Sequence, residues 1–388
     1  MKKLLFVTDD NMPTVSILAE MFTSPEASSL CGAKFVHFST IAKDDILEAD
    51  CVILVRPFNA GLDILAKTIK ESGRELAVYL DDDLLNCQPK LHFRNHALKQ
   101  CVEFSDAVIS CNMNLGSKYA QLLSPKSFIQ LNTAISSDSL SSQPEPHSPL
   151  KIVYAAGSSH DVFFDEIISP ILPQLFEKYK GRITLSFVGV HPQLDESMAV
   201  YPISFYPGMN LNDYRAFMRS QEFDIGLAPL PANDFTKYKY FNKFIEYSVL
   251  GICGVYSDVD PFRFIVRDGT NGFLTSNDPA AWLNALSRVI DDSNARRTCL
   301  KNAQMQLSDE FTIEKITMKL LDDLNKAVPA TTPVLEPKKR SIWLAKTKRT
   351  LLRPYYFSRM VVFNLSSKGL SETIEKIMAR ICGTNPYK

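Results

Sequence analysis

The sequence predicts an α/β protein: two units of similar size, each a parallel sheet with helices between its strands, followed by a basic helical extension. Three observations carry this. Short apolar runs alternate with helical periodicity along most of the chain, as right-handed strand–helix–strand crossovers require. The alternation stops once, in a Ser- and Pro-rich stretch, and then restarts. The chain has 388 residues, more than the ~250–300 at which a single core stops growing.

In the first unit, residues 1–140, the apolar runs are "LLFV" at 4–7, "KFVHF" at 34–38, "CVILV" at 51–55, "LAVYL" at 76–80, "AVIS" at 107–110 and "FIQL" at 128–131. Helical segments fall between them, among them Val15–Phe22 and Leu62–Ser72. The opening "MKKLLFVTDD" has a basic flank, but its apolar run is too short for a signal peptide and reads as a first strand. "SSDSLSSQPEPHSP", Ser136–Pro149, has no periodicity and reads as a linker. The second unit, residues 150–327, brings "KIVYA", "ITLSFVG", "ISFY", "DIGLAPL", "ICGVY" and "GFL". Its helix Ala281–Ile290 places Trp282, Leu286, Val289 and Ile290 on one stripe. Ligands of such sheets sit at the carboxyl ends of the strands, and two such sheets facing one another would leave a cleft between them.

Composition sets outer bounds. Hydrophobic residues make up 45% and charged residues 22%, ordinary for a globular enzyme. A formal net charge of +0 gives no global drive toward nucleic acid. The 8 Cys show no C-x-x-C and no His partners at zinc spacing, and several, such as Cys51 and Cys253, lie inside apolar runs. They read as buried free thiols of a reducing compartment. No run approaches the ~20 apolar residues of a membrane span, so a cytoplasmic location is expected.

One stretch draws attention to chemistry. "KYFNKFIEYSVLG", Lys239–Gly251, reads as a mostly buried helix, yet Lys239, Lys243 and Glu246 at i, i+4 and i+7 would share one face. The strand "DIGLAPL" runs into a Pro-rich loop just before it, so the helix starts at a strand's carboxyl end. Its N-terminus and the two lysines would make an anion site suited to a diphosphate. Glu246, a turn deeper, can accept two hydrogen bonds from vicinal hydroxyls such as those of a ribose. The alternative is a plain i, i+3 pair between Lys243 and Glu246 on a solvated face. Gly157, Ser158 and Ser159 follow the restart strand as a tight loop whose N–H groups could face a phosphate. His160 either touches the ligand or caps the next helix. "RDGTNGFL", Arg267–Leu274, reads as a turn leading into a strand, with a structural role.

The residues Asp224 to Leu274 resemble the nucleotide-binding half of GT-B fold glycosyltransferases, the retaining family four in particular. That family reads D-I-x-L-x-P-L, then F-x-x-x-K-x-x-x-K-x-x-E-Y, a glycine, and a turn ending D-G-x-x-G. Phe235, Lys239, Lys243, Glu246, Tyr247, Gly251, Asp268, Gly269 and Gly272 match position by position. "WLNALSRVIDDSNARRTCLKNA" matches the family's helix-and-arginine pattern, and "ADCVILVRP" and "VYLDDDLL" resemble its first domain, with Arg56 and Asp81–Asp83 at motif positions. The likeness extends over about residues 1–325 and is densest from 223 to 303. Three departures stand out. Tyr238 occupies the place of the family's first glutamate, "TDDNMPT" replaces its N-terminal Gly-Gly loop, and the Arg and Lys usual after Gly157 are absent.

The resemblance implies two Rossmann-like domains facing across a cleft, the first binding an acceptor and the second a nucleotide-diphosphate sugar. It implies transfer of the sugar to a hydroxyl with the anomeric configuration retained, in surface polysaccharide or glycoconjugate synthesis. Lys239, Lys243 and His160 then fall at the departing diphosphate. Glu246, Gly157, Ser158, Ser159 and Tyr247 fall at the nucleotide, and Arg56, Asp81, Asp82 and Asp83 on the acceptor side. Asp81 and Asp83 also spell D-x-D, which in GT-A enzymes holds a divalent metal. The GT-B likeness argues instead for no metal, with the aspartates orienting acceptor hydroxyls or capping the next helix. Two rivals remain: a non-catalytic module of the same fold acting as scaffold or partner of another transferase, and a sugar-nucleotide epimerase.

The extension, residues 328–388, begins after "VPATTPVLEP" interrupts a helix ending near Ala327. From Lys338 to Phe363 it carries Lys338, Lys339, Arg340, Lys346, Lys348, Arg349, Arg353 and Arg359, no acidic residue, and the aromatics Trp343, Tyr355, Tyr356 and Phe357. Either this segment meets an anionic membrane surface, where a lipid-linked acceptor would be found, or it crosses back to pack on the first domain.

Overall fold

The structure is a computed structural model that describes residues 1–9, 12–86, 92–141, 147–157, 161–327 and 334–381. Among these, residues 1–135 and 311–381 form one compact unit and residues 136–310 form another.

The first unit opens with β1 (Lys2–Thr8), α1 (Pro13–Phe22), α2 (Pro25–Ser28), β2 (Cys31–His37), α3 (Lys43–Glu48) and β3 (Cys51–Val55). It continues with α4 (Leu62–Glu71), β4 (Glu75–Leu80), α5 (His92–Phe104), β5 (Ala107–Ser110), α6 (Met113–Leu123) and β6 (Phe128–Gln130). The strands are the apolar runs read from the sequence. All pair in parallel, in the order β2-β1-β3-β4-β5-β6. A sheet covered on both faces needs near-continuous apolar strands, and β3 is buried at every position.

The second unit contains β7 (Leu150–Ala155), α7 (Asp161–Ile167), α8 (Leu172–Lys178), β8 (Ile183–Val188), β9 (Ile203–Tyr206) and α9 (Leu211–Gln221). Then follow β10 (Ile225–Ala228), α10 (Asn242–Val249), β11 (Cys253–Ser257), β12 (Phe273–Thr275), α11 (Pro279–Asp291) and α12 (Ser293–Glu310). The order β12-β11-β10-β7-β8-β9, parallel throughout, reverses direction between β7 and β10. This is the doubly wound arrangement whose switch point takes ligands. The stripe of Trp282, Leu286, Val289 and Ile290 is buried in this unit's core, as its spacing predicts. Arg296 is buried too, and it donates to the carbonyls of Val289 and Ile290, closing the end of α11.

The linker is tied to the second unit at both ends. The Ser141 N–H donates to the Val249 carbonyl, while buried Asp224 accepts from the backbone of His147 and Lys151. After α12 the chain returns to the first unit. There α13 (Ile313–Ala327) lays Ile313, Ile316, Leu320 and Leu324 on the core that contains Phe6, Phe22 and Ile53. The sequence reading carried the donor unit to 327; the structure ends it at 310, because this apolar stripe completes the first sheet's covering instead.

The extension forms α14 (Lys339–Ile381), which lies against α4. Ile342, Ala345 and Tyr356 face inward and are buried. Gly61 holds φ +93, and a Cβ there would sit 2.2 Å from the Ala345 carbonyl oxygen, so the close approach needs glycine. The Tyr356 hydroxyl accepts from the Ala60 N–H at 2.9 Å. The Arg94 guanidinium lies 4.5 Å from the Phe58 ring and 4.9 Å from the Tyr356 ring. Lys348 pairs with Asp63 at 2.6 Å and Arg349 with Asp9 at 2.7 Å. Of the two readings of the tail, packing on the first unit is therefore realised by one helix face. Among the described residues no helix is long and apolar enough to cross a membrane. Cys31, Cys51, Cys101, Cys111, Cys253 and Cys299 are free and buried, and burial pushes their thiols up in pKa. Cys87 and Cys382 lie outside the described residues.

Candidate functional site

In the second unit the candidate site forms around α10, which follows β10 beside the switch point. After β10 the Pro-rich loop is held by side chains. Ser257 Oγ accepts from the Leu230 N–H at 2.8 Å and donates to Asn277, whose amide donates to the Leu230 carbonyl. Asn233 then accepts from the N–H groups of Phe235 and Thr236, setting a short 3₁₀ turn over Thr236–Tyr238.

That turn displaces Lys239. The spacing argument put Lys239 on the helix, but its backbone is extended (φ −71, ψ 158), and the helix begins only at Asn242. Lys239 Nζ lies 4.7 Å from the centre of the Phe235 ring. Lys239 therefore belongs to the loop before α10, and only Lys243 and Glu246 share the helical face.

These two meet directly. Lys243 Nζ is 2.9 Å from Glu246 Oε1 and 3.0 Å from Oε2. Tyr214, from α9, donates its hydroxyl to Glu246 Oε1 and accepts from Lys243 Nζ at 3.1 Å. Burial and the neighbouring Glu246 charge push the Tyr214 phenol well above its ordinary pKa, so it stays a donor. The Lys243 ammonium also lies 5.5 Å from the Tyr214 ring and 5.4 Å from the Tyr247 ring. Sequence reasoning missed Tyr214. It stands 32 residues before Glu246 in the chain, on a helix whose pattern shows nothing beyond ordinary amphipathicity.

Tyr247, expected at the nucleotide, is fully buried, and its hydroxyl donates to the Leu227 carbonyl at 2.8 Å. Its ring fills the space over Gly226, where a Cβ would come within 2.5 Å of it. Its place is in the core, fixing α10 to β10. Tyr238, at the family's first-glutamate position, is buried as well. Gly157 follows β7, exposed, with open space around it. Ser158, Ser159 and His160 lie outside the described residues. Asp268 accepts from the Leu274 N–H and pairs with Arg288, which gives the D-G-x-x-G turn the structural role expected of it.

In the first unit, Asp9, Arg56 and Asp81 stand just past the carboxyl ends of β1, β3 and β4, which are neighbours in the sheet. The order reverses between β1 and β3, so they surround that sheet's switch point. Arg56 takes a left-handed backbone (φ 52), which is uncommon for a large side chain. Its guanidinium donates to Asp81, which also accepts from the Thr14 hydroxyl. Asp9 accepts from Asn59 and from Arg349 of α14.

The three aspartates separate. Asp81 and Asp82 are partly exposed, whereas Asp83 is buried, 2.5 Å from Lys118 Nζ and 2.7 Å from Asn86 Nδ2. Asp83 points into the unit and cannot reach an acceptor hydroxyl at its edge. Lys118 and Asn86 both meet Asp83 Oδ2, whereas Arg56 and the Thr14 hydroxyl engage one oxygen each of Asp81. Among the described residues no group of three or more His, Cys, Asp or Glu is placed to hold a metal. Asp9, Thr14 and Asn59 join Arg56 and Asp81 without having been singled out from sequence as site residues, and Arg349 reaches Asp9 from the basic extension; the two aspartates of "TDDNMPT" were the one visible signal.

No family model matches the chain, and no curated protein matches it by sequence. Solved structures do. Anabaena HepE (Alr3699) in complex with UDP is similar with a TM-score of 0.57 at 15% identity, covering 84% of this chain and 100% of that one. The sucrose-phosphate synthase of Thermosynechococcus elongatus is similar with a TM-score of 0.56 at 13% identity, over 83% and 98%. The apo form of the lipopolysaccharide outer core galactosyltransferase WaaB is similar with a TM-score of 0.55 at 13% identity, over 84% and 100%. The chain has the fold of GT-B glycosyltransferases.

Proposed function

We propose that the protein transfers a sugar from a nucleotide-diphosphate donor to a hydroxyl of a glycan or lipid-linked acceptor, in surface polysaccharide or glycoconjugate synthesis. The observation that carries this reading is the Tyr214–Lys243–Glu246 cluster on α9 and α10, beside the switch point of the second sheet. A carboxylate oxygen has two lone pairs, and among the described residues Oε2 accepts one hydrogen bond, from Lys243. Glu246 retains capacity for ribose hydroxyls while Tyr214 and Lys243 hold it in place. Its role is positioning.

The reacting bond joins the anomeric carbon to the diphosphate. It breaks as the acceptor oxygen bonds to that carbon, on the same face, so the configuration is retained. The acceptor proton passes to the departing phosphate oxygen. Negative charge grows on the diphosphate, and Lys239, Lys243, the N-terminus of α10 and N–H groups following β7 at Gly157 are the groups available to meet it. No metal is called on. Arg56 and Asp81 receive the acceptor at the first sheet.

A scaffold without catalysis is favoured by one specific observation. Lys243 and Glu246 satisfy each other, as an ordinary i, i+3 pair would. Nucleotide diphosphates added singly, in a thermal melt of the full chain, separate the two. UDP is the first to try, since it is the ligand of the HepE complex. A transferase is stabilised by one of them, hydrolyses the matching sugar nucleotide slowly, and keeps that activity in chelator. A scaffold does neither. An epimerase would release free sugar or a changed sugar nucleotide without an acceptor.

A further inference from the structure

The helix that packs on the first unit has a second face that is exposed among the described residues. Trp343, Leu344, Leu351, Phe357, Val362 and Leu365 are each between 41% and 73% exposed. At 3.6 residues per turn they fall on the side opposite Ala345 and Tyr356, as one continuous band. Lys346 and Arg353 run along one border of that band and Arg359 along the other. Lys338, Lys339 and Arg340 stand at its start. From 338 to 363 there is no carboxylate, and Lys348 and Arg349 are drawn inward, into ion pairs with Asp63 and Asp9.

We propose that this face of α14 lies on an anionic lipid bilayer, with the band among the acyl chains nearest the headgroups and the flanking cations at the lipid phosphates. Charge decides the occupant. Two copies meeting symmetrically on this face would set cationic borders against cationic borders, with no acid in the segment to offset them. A surface of fixed negative charge meets the same borders favourably. The aromatic and long basic side chains are also those that span the boundary between acyl chain and headgroup.

The inner contacts give the docking a consequence. Arg349 reaches Asp9 at the carboxyl end of β1, and Tyr356 holds the backbone at Ala60, four residues past Arg56. The helix that rests on lipid is thus bonded to the edge that carries Arg56 and Asp81. Resting on the acceptor reading of that edge, the inference narrows the acceptor to one anchored in the same bilayer. Lipid binding itself needs no nucleotide, so its failure and a failure of the transferase reading are seen in different experiments.

The test is co-flotation of the full chain with vesicles of phosphatidylglycerol and phosphatidylcholine in equal parts, against pure phosphatidylcholine. Tryptophan emission is read alongside. Trp282 is fully buried and Trp343 is 62% exposed, so a blue shift on binding reports Trp343. The expected result is binding to the anionic vesicles only, with a blue shift, fading as salt rises. Lys346→Gln with Arg353→Gln should weaken it about 30-fold at low salt. Trp343→Ser with Leu351→Ser and Val362→Ser should abolish it without lowering Tm, because all three side chains are exposed. Equal binding to neutral vesicles, no binding, or binding unchanged by both sets of substitutions overturns the proposal. So does self-association that the serine set removes while vesicles leave the protein untouched.

Discussion

Glu246→Ala separates a ligand-binding carboxylate from a structural one, because the ligand-induced shift in Tm reads the binding cost apart from the folding cost. In the protein alone, the substitution removes a pair whose side chains remain 25% and 24% exposed. Such pairs contribute about 0–1 kcal/mol, and the Tyr214 phenol, left without its acceptor, costs about 1–3 kcal/mol more. For a unit the size of residues 136–310, each kcal/mol lowers Tm by about 2–4 °C. Nucleotide binding should suffer as well. A hydrogen bond from a ribose hydroxyl to a charged group is worth ~1.5–3 kcal/mol, so affinity should fall roughly 10- to 150-fold. At a ligand concentration of about 100 Kd the native protein gains about 2.7 kcal/mol, or roughly 5–11 °C. At that same concentration a variant binding about 100-fold more weakly gains only about 0.4 kcal/mol. The assay is a thermal melt of both proteins with and without the nucleotide diphosphate that the native chain selects, backed by calorimetric titration. A folded variant whose ligand-induced shift equals that of the native protein would sink the ribose assignment and leave Lys243–Glu246 as a helix pair.

Two further outcomes follow from packing and burial. Gly61→Ala should cost about 1–3 kcal/mol for its left-handed backbone alone, and its methyl would press on the Ala345 carbonyl; limited proteolysis should then cut within 334–381 faster than in the native chain, and equal rates would show that α14 does not depend on this contact. Stability should fall as pH rises above about 9. The buried thiols of Cys51, Cys101, Cys111 and Cys253 and the phenols of Tyr214, Tyr247 and Tyr256 all have raised folded-state pKa values. Each favours folding below its unfolded pKa, and the unfolded chain gains as pH climbs past that value, by about 1.4 kcal/mol per pH unit per group. Denaturant midpoints between pH 8 and 11 check the sign, and a flat profile would contradict it.

The strands were legible because a covered parallel sheet demands apolar runs with no polar face, and "CVILV" or "AVIS" can satisfy little else. Where a helix goes was less legible. The stripe Ile313, Ile316, Leu320 and Leu324 says that α13 must bury one face. It does not say which sheet receives it, and nothing between Leu307 and Phe311 breaks the composition strongly enough to mark a return to the first unit. The same limit applied to the tail. Its two readings were posed as rivals, but a helix has two sides. Ile342, Ala345 and Tyr356 bury one against α4, and Trp343, Leu351 and Val362 leave the other open.

At the site, sequence spacing found the pair that a helix fixes and misjudged what lies beyond the helix. Lys243 and Glu246 are joined by i, i+3 geometry wherever the helix sits. Lys239 shares their phase only if the helix extends back to it, and the turn anchored by Asn233 stops that. Tyr247 carried the family's letter, but it follows Glu246 by one position, about 100° around the helix, so a Glu246 facing outward turns Tyr247 toward β10. Tyr214 reaches the carboxylate from another element, a contact no local pattern encodes. The distinction matters for the reading of Glu246 itself. A lysine one turn away would be drawn to this glutamate in any helix. A phenol held neutral by burial and spent on the same oxygen is an arrangement two elements must build, and it fixes the carboxylate in one orientation. That second contact, more than the ion pair, is what the ribose assignment stands on. Tyr214→Phe should accordingly weaken nucleotide binding while the Lys243–Glu246 pair remains intact.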